Sequence, residues 1–385
     1  MRLVRFYPPR GLKLVRGSMQ YVWDDRGNRY LDANTGHGAA FLGHANPDIV
    51  EAIQRQAAEL MVAGSSFDTP AMEEAVEEFS KLAPGWAGGL VFLNTGTEAV
   101  EAAIKMAWQH TGRRKLVALQ GSFHGRTMAS LSVTWNPRYR SGLPLYGDVE
   151  FIDPRKGAGA VEDAVSDDTA AVIVEVVQGE GGVNPLTPEL VKAVRDATSR
   201  VGAVMIVDEI QTGYGRTGKI WAHEHYNVEP DIITAGKAIA GGMPASAVLA
   251  RDEIVESLKP GWHGSTHAGN PLAMAAVAAA ARHFLRERVW EKAAATGDTL
   301  LSLLSSELQD VKAVRTVRGR GLMIGVDLRF DPGRVLRCLQ EEKRILALKA
   351  GATVVRFLPP YMITGEDARV IAGGLRDCLC RVYGC

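Results

Sequence analysis

The sequence predicts an α/β fold: a large domain whose mostly parallel sheet is covered by helices, and a smaller α+β domain drawn from both ends of the chain. Three observations carry this. Short apolar runs alternate with longer amphipathic ones through the middle of the chain, as in doubly wound domains. Those short runs are continuously apolar rather than alternating, which means burial on both faces. The pattern changes before about residue 45 and after about residue 285.

The elements follow in order. The segment QYVWDDRGNRYLD reads as a hairpin, with aromatic and β-branched residues flanking Asp25-Arg26-Gly27-Asn28. Strands are expected at Leu90–Leu93, Lys115–Leu119, Val149–Ile152, Ala171–Val176, Ala203–Asp208, Ile232–Thr234 and Ala245–Leu249. Helices are expected at Thr97–Gln109, Pro188–Arg200 and Pro271–Arg286. Beyond residue 285 come a helix at Trp290–Leu308, a strand pair at Val311–Arg318 and Leu322–Asp327, a helix at Pro332–Glu342 and a closing helix from Thr364. The expected division is therefore 1–45 and 286–385 for the small domain, and 46–285 for the large one.

At 385 residues the chain is longer than one core usually serves. Lys plus Arg and Asp plus Glu number 44 each, so net charge is zero and nucleic acid is not expected as the main ligand. No apolar run is long enough for a secretory leader or a membrane span, so a cytoplasmic protein is expected. Cys338, Cys378, Cys380 and Cys385 read as free thiols, and no metal site is expected.

Ligands of open α/β sheets collect at the carboxyl ends of strands. There the sequence places Asn94-Thr95-Gly96-Thr97-Glu98, Gln178-Gly179-Glu180, Asp208-Glu209-Ile210-Gln211 and Gly236-Lys237. Small apolar neighbours around Lys237 disfavour its ammonium and make the amine nucleophilic. A surface lysine in a glycine loop is the competing reading. Asp208, one α/β unit earlier, shifts the balance. A nucleophilic lysine with a buried carboxylate is the pair that pyridoxal 5'-phosphate requires, the carboxylate keeping the pyridine nitrogen protonated.

NTGTEAVEAAIK opens a helix behind a Gly-Thr turn that suits a phosphate; alone, it is also an ordinary helix with a capping box. GSFHGRT offers Phe123 for stacking and Arg126 as a carboxylate fork. HGSTHAGNP adds Ser265 and Thr266 on a small-residue loop. Gly213, Gly215 and Gly218 spell a dinucleotide fingerprint, but four residues separate it from the strand end, so they read as a loop.

With these motifs in order, from YVWDDRGNRYLD through NTGTEAVEAAIK, SFHGRT, QGEGGV, VDEIQTGYGRTGK, ITAGKAIAGG and GSTHAGNP to RFLPPY, the chain resembles the class III (ornithine and acetylornithine type) aminotransferases of pyridoxal-phosphate fold type I. The resemblance implies covalent attachment of the cofactor at Lys237 and a pyridinium partner in Asp208. Glu209, Ile210 and Gln211 would adjoin the cofactor, Ile210 on the ring and Gln211 at the phenolic oxygen. Gly96 and Thr97 would hold the phosphate together with Thr266 from the second subunit of a homodimer, and Phe123 would stack on the ring. Arg126 and Arg356 would bind substrate carboxylates, Ser265 would approach the substrate, and Glu180 would pair with Arg356 until a 2-oxo acid enters.

Within the family the chain resembles the branch that exchanges the terminal amine of a lysine or ornithine, linked to an acidic carrier of LysW type, with 2-oxoglutarate and glutamate in lysine or arginine biosynthesis. RFYPPRGLKLVRG, GHGAAFLGH, SVTWNPRYR, KIWAHEHYNVEPDI and LALKAGATVVRFLPPY support this. His267-Ala268 stands where the family commonly has an aromatic residue and Gly. An acidic carrier calls for a basic rim, with Arg10, Lys13, Arg138, Arg140 and Lys349 as candidates. Alternatives are an N-acetylornithine, ornithine or 4-aminobutyrate aminotransferase, a racemase or aminomutase on the same cofactor, and a nucleotide-binding dehydrogenase built on the glycine loop.

Overall fold

The computed structural model describes residues 1–385. Its centre is a seven-stranded sheet in the order Gly89–Leu93, Ser246–Ala250, Ile232–Ala235, Val204–Asp208, Thr169–Val174, Lys115–Leu119, Val149–Ile152. Only Ser246–Ala250 runs against its neighbours. All seven were legible as short, mostly apolar runs, although the two edge strands, Gly89–Leu93 and Val149–Ile152, are only partly buried. Strand ends shift by a residue or two in places, and one shift bears on the site: the strand expected at Ala171–Val176 runs Thr169–Val174, so Glu175 is the first residue off its carboxyl end.

Helix Gly96–Thr111 covers one face of the sheet and Pro188–Val201 the other. Thr95 caps the first through a reciprocal capping box with Glu98, and Gly112 closes it in the left-handed conformation. Thr187 and Gly202 do the same work for the second. Helix Pro271–Arg286 is alanine-rich and buried almost all round, beneath Pro47–Glu59 and Pro70–Ser80. The sequence reading lacked those two earlier helices. Pro47–Glu59 buries only Ile49 and Ala52, too few to display a helical period. KIWAHEHYNVEPD forms only a 3₁₀ turn at Ala222–Tyr226.

The two ends of the chain meet. Hairpin Tyr21–Asp24/Arg29–Asp32 continues into a sheet with Ile345–Leu346, which pairs in parallel with Leu31–Asp32. A second sheet joins Val314–Arg320, Met323–Leu328, Val354–Phe357 and Leu348–Ala350, backed by helices Val289–Leu308 and Gly365–Tyr383. We place domain boundaries near residues 45 and 285 on that pairing. No helix is long and apolar enough to cross a membrane.

The cysteines correct one expectation. They are not free thiols: Cys338 is bonded to Cys378 and Cys380 to Cys385. Cys338 and Cys378 lie on the inner faces of helices Gly333–Glu341 and Gly365–Tyr383, with Cα atoms 5.7 Å apart. Spacing alone did not reveal the pair because it depends on how two helices pack.

Cys338→Ser should lower unfolding free energy by about 2–4 kcal/mol, the usual worth of a cross-link closing a loop of this size. Denaturant titration of oxidised protein measures this; a reductant should erase the difference between variant and parent.

Candidate active site

Strand ends of the central sheet deliver their side chains to one chamber of about 360 Å³. Gly96, Thr97, Phe123, Arg126, Glu180, Asp208, Ile210, Gln211 and Lys237 all line it.

Asp208 ends its strand with 4% exposure. Its Oδ2 lies 2.7 Å from His124 Nδ1, and its Oδ1 accepts from Ile210 N at 3.1 Å and Thr234 Oγ1 at 3.2 Å. A carboxylate held this way is oriented and has its acceptor sites satisfied.

Lys237 follows strand Ile232–Ala235 at φ 47, in the left-handed region. Such strain persists where the surroundings fix it, and it concentrates at functional sites. Burial pushes the Lys237 pKa down to about 8, against the opposing charges of Asp208 and Glu175.

Gly96 and Thr97 begin their helix, so their amides have no carbonyl a turn earlier to bond. A Cβ on Gly96 would lie 2.9 Å from the Ile210 side chain, so only glycine lets that backbone close on the ring-facing residue. Thr97 Oγ1 lies 2.7 Å from both Thr127 Oγ1 and Ser130 Oγ, making a hydroxyl cluster beside the amides. The Phe123 ring meets Tyr139 edge-on at 6.1 Å, and the Arg126 guanidinium lies 3.5 Å over Tyr139.

Arg356 is 1% exposed and sits behind the chamber wall. Its Nη2 donates to Glu180 Oε2 and its Nη1 to Gln211 Oε1, both at 3.1 Å, while its buried Nε is unpartnered. Burial lowers the Arg356 pKa despite Glu180. Tyr139 Oη donates to the other Glu180 oxygen at 3.3 Å.

Besides Arg356, three expected residues do not line the chamber. Glu209 faces away, accepting from Thr212 Oγ1, Ala222 N and His223 N at 2.8–2.9 Å; it anchors the loop that follows. Alternation along the chain turns it from the face Asp208 occupies. Ser265 donates to Glu98 Oε1 at 3.0 Å and does not line the chamber. Thr266 is exposed on the same loop.

Six chamber residues escaped the sequence reading: Tyr7, His37, His124, Gly125, Tyr139 and Glu175. Glu175 carried a visible signal, a lone carboxylate inside an apolar run. Burial pushes its pKa up to about 7.

The glycine loop is a packing device. A Cβ on Gly215 would lie 2.7 Å from Phe284, and one on Gly213 would lie 2.9 Å from Trp221. No phosphate can enter there, which removes the dehydrogenase alternative.

These residues fit pyridoxal 5'-phosphate. Asp208 is a buried carboxylate for the ring nitrogen, Lys237 an amine of depressed pKa, and the helix start a set of free amides. Because burial penalises the ammonium, Lys237 should shed its proton well below the ordinary lysine range. Cyanate labelling of cofactor-free protein, read by mass spectrometry, should modify the Lys237 peptide with a midpoint near pH 8; a midpoint above pH 10 would contradict that environment.

Comparison with known proteins agrees with the geometry. The aminotransferase class-III family matches residues 7–379. A protein of Aeropyrum pernix, provisionally named a LysW-aminoadipate semialdehyde/glutamate semialdehyde transaminase, is 62% identical over 100% of this chain and 99% of its own. The transaminase of that name from Sulfolobus acidocaldarius is 50% identical over 99% of this chain and 98% of its own. Among solved structures, ornithine aminotransferase from Toxoplasma gondii superposes with a TM-score of 0.93 at 32% identity, covering 99% of this chain and 93% of that one. The chain belongs to the class-III aminotransferases, of pyridoxal-phosphate fold type I, and is a pyridoxal 5'-phosphate-dependent enzyme that transfers amino groups.

Proposed function

We propose that this enzyme moves the terminal amino group between a lysine or ornithine linked to a LysW-type carrier and 2-oxoglutarate, in lysine or arginine biosynthesis in the cytoplasm. The full-length likeness to transaminases named for LysW-linked semialdehydes supports the substrate class. The observation that carries it is a groove of about 1350 Å³ that shares Tyr7, His37, Phe123, Tyr139 and Glu180 with the chamber. A free amino acid needs far less room.

Charge in the groove favours an acidic occupant. Arg10, Arg138, Arg329, Arg337 and Lys349 line it. Lys349 is paired with Asp331, whereas Arg10 and Arg329 donate only to neutral oxygens. Of the expected basic rim, Arg10, Arg138 and Lys349 converge here. Lys13 instead faces Asp25, and Arg140 packs over Phe151.

Bound pyridoxal 5'-phosphate supplies an electron sink that acidifies the carbon bearing the transferred amine. Asp208, oriented by His124 and Thr234, holds the proton on the ring nitrogen. Lys237 holds the cofactor and then carries the proton to and from the substrate carbon. Phe123 and Ile210 would confine the ring, and Gly96 and Thr97 would hold the phosphate together with Thr266 of the partner subunit in a homodimer. Gln211 donates one amide hydrogen to His37 O, leaving the second for the phenolic oxygen. Arg126 and Arg356 take carboxylates, with Glu180 covering Arg356 while a cationic or uncharged donor chain is bound.

Adding carrier-linked lysine alone to the holoenzyme should discharge the visible band of lysine-bound cofactor, and 2-oxoglutarate should restore it with stoichiometric glutamate. Failure to form glutamate would favour the racemase or aminomutase alternative. Discharge by N-acetylornithine but not by the carrier-linked donor would favour the arginine-pathway alternative. Replacing Arg138 and Arg337 together by Ala should raise KM for the carrier-linked donor about tenfold at low salt, from two partly screened charge contacts. KM for N-acetylornithine should stay put.

A further inference from the structure

Glu175 is the one carboxylate of the chamber that the proposed reaction leaves without a task. It is 5% exposed, and neither of its oxygens meets a cation. Both accept from backbone. Oε1 takes the amide of Phe123 at 2.7 Å, and Oε2 takes the amide of Gly179 at 3.0 Å.

These two amides belong to different loops. One, Gly121–Thr127, carries Phe123, His124 and Arg126; the other, Gly179–Val183, carries Glu180. The loops and the residues just before them also touch directly. Gln178 Nε2 donates to Gln120 O at 2.8 Å, and a Cβ on Gly181 would lie 2.3 Å from Gly121 O. At its far end the second loop places Glu180 on Arg356.

We propose that Glu175 is a positioning residue that locks these two loops into one body, so that the ring-facing Phe123 and the Glu180 cover on Arg356 are set together. The inference rests on the reading that Glu180 shields Arg356 from dicarboxylates. Its chemistry is that of a bidentate acceptor. A carboxylate can serve two amides at once, whereas a glutamine presents an NH₂ to one of them and opposes donor to donor. With one loop released, Glu180 is held less firmly on Arg356, and Arg356 becomes more available to an incoming carboxylate.

The test is a double-mutant cycle on the holoenzyme, read by calorimetric binding of glutarate, a five-carbon dicarboxylate without the reacting carbonyl. Glu175→Gln should tighten glutarate binding about threefold in the parent, and Glu180→Ala should tighten it further. In the Glu180→Ala background, Glu175→Gln should have no effect. A residue serving stability alone would weaken binding. An unchanged or weakened affinity, or an equal effect in both backgrounds, overturns the proposal. Glu175→Asp keeps the charge but is one methylene short of both amides; it should give the same cycle and serves where the glutamine variant does not retain cofactor. A parent holoenzyme that binds no glutarate at all would instead overturn the dicarboxylate reading beneath the proposal.

Discussion

Asp208 lies at the end of a strand enclosed on both sides, and a carboxylate so placed must find donors or give up its charge. The fold supplies three from three separate segments: His124 from the loop after Lys115–Leu119, Thr234 from the neighbouring strand, and the amide of Ile210 two residues on. Each donor fixes something else. His124 sets the loop that presents Phe123 and Arg126; Thr234 stands three residues before Lys237; Ile210 is the residue against which Gly96 closes. Satisfying one buried anion therefore places much of the chamber. The parallel order of Lys115–Leu119, Thr169–Val174, Val204–Asp208 and Ile232–Ala235 makes this possible, since it brings their carboxyl ends to one edge.

A second buried ion registers the terminal segments against that edge. Arg216, 2% exposed, is met by no carboxylate; its guanidinium donates to the carbonyls of Leu322, Pro359 and Gly38, and lies 4.1 Å over Phe41. Burial pushes its pKa down to about 9, still far enough above neutrality for it to remain a cation. Its three acceptors come from the hairpin turn before Met323–Leu328, the segment after Arg356 and the loop holding His37. The glycine loop behind Asp208 thus has a purpose other than phosphate binding. It carries the bolt between the sheet edge and the segments that close the chamber.

The sequence made the sheet legible, since seven short apolar runs alternating with amphipathic segments leave few other folds. It also revealed those site residues whose chemistry needs no partner to be recognised, such as a lysine after a strand between glycines, or a carboxylate ending an apolar run. His124 was harder. It lies between Phe123 and Gly125 in a motif already singled out, but only the fold shows its ring on Asp208. Glu175 was passed over because its run was taken to reach Val176, which made it part of a strand rather than the residue leaving it. Glu209 erred the other way: adjacency to Asp208 suggested a shared environment, whereas pleating gives neighbours opposite faces. The Cys338–Cys378 disulfide joins two separate helices and the basic groove joins residues hundreds of positions apart, relations set by packing.

The same reasoning bears on how one chamber handles two different substrates. Arg356 is enclosed and cannot leave, whereas the Glu180 side chain retains 33% exposure at the rim of the groove. Removing the partner of a buried guanidinium leaves its charge uncompensated, which is costly. Glu180 should therefore not depart and leave Arg356 waiting. Replacing one carboxylate by another at the same guanidinium avoids most of that penalty. In the proposed reaction, then, a 2-oxo dicarboxylate does not find an open site. It trades places with Glu180, and the second Glu180 contact, to Tyr139, lies on the groove side from which the exchange must come.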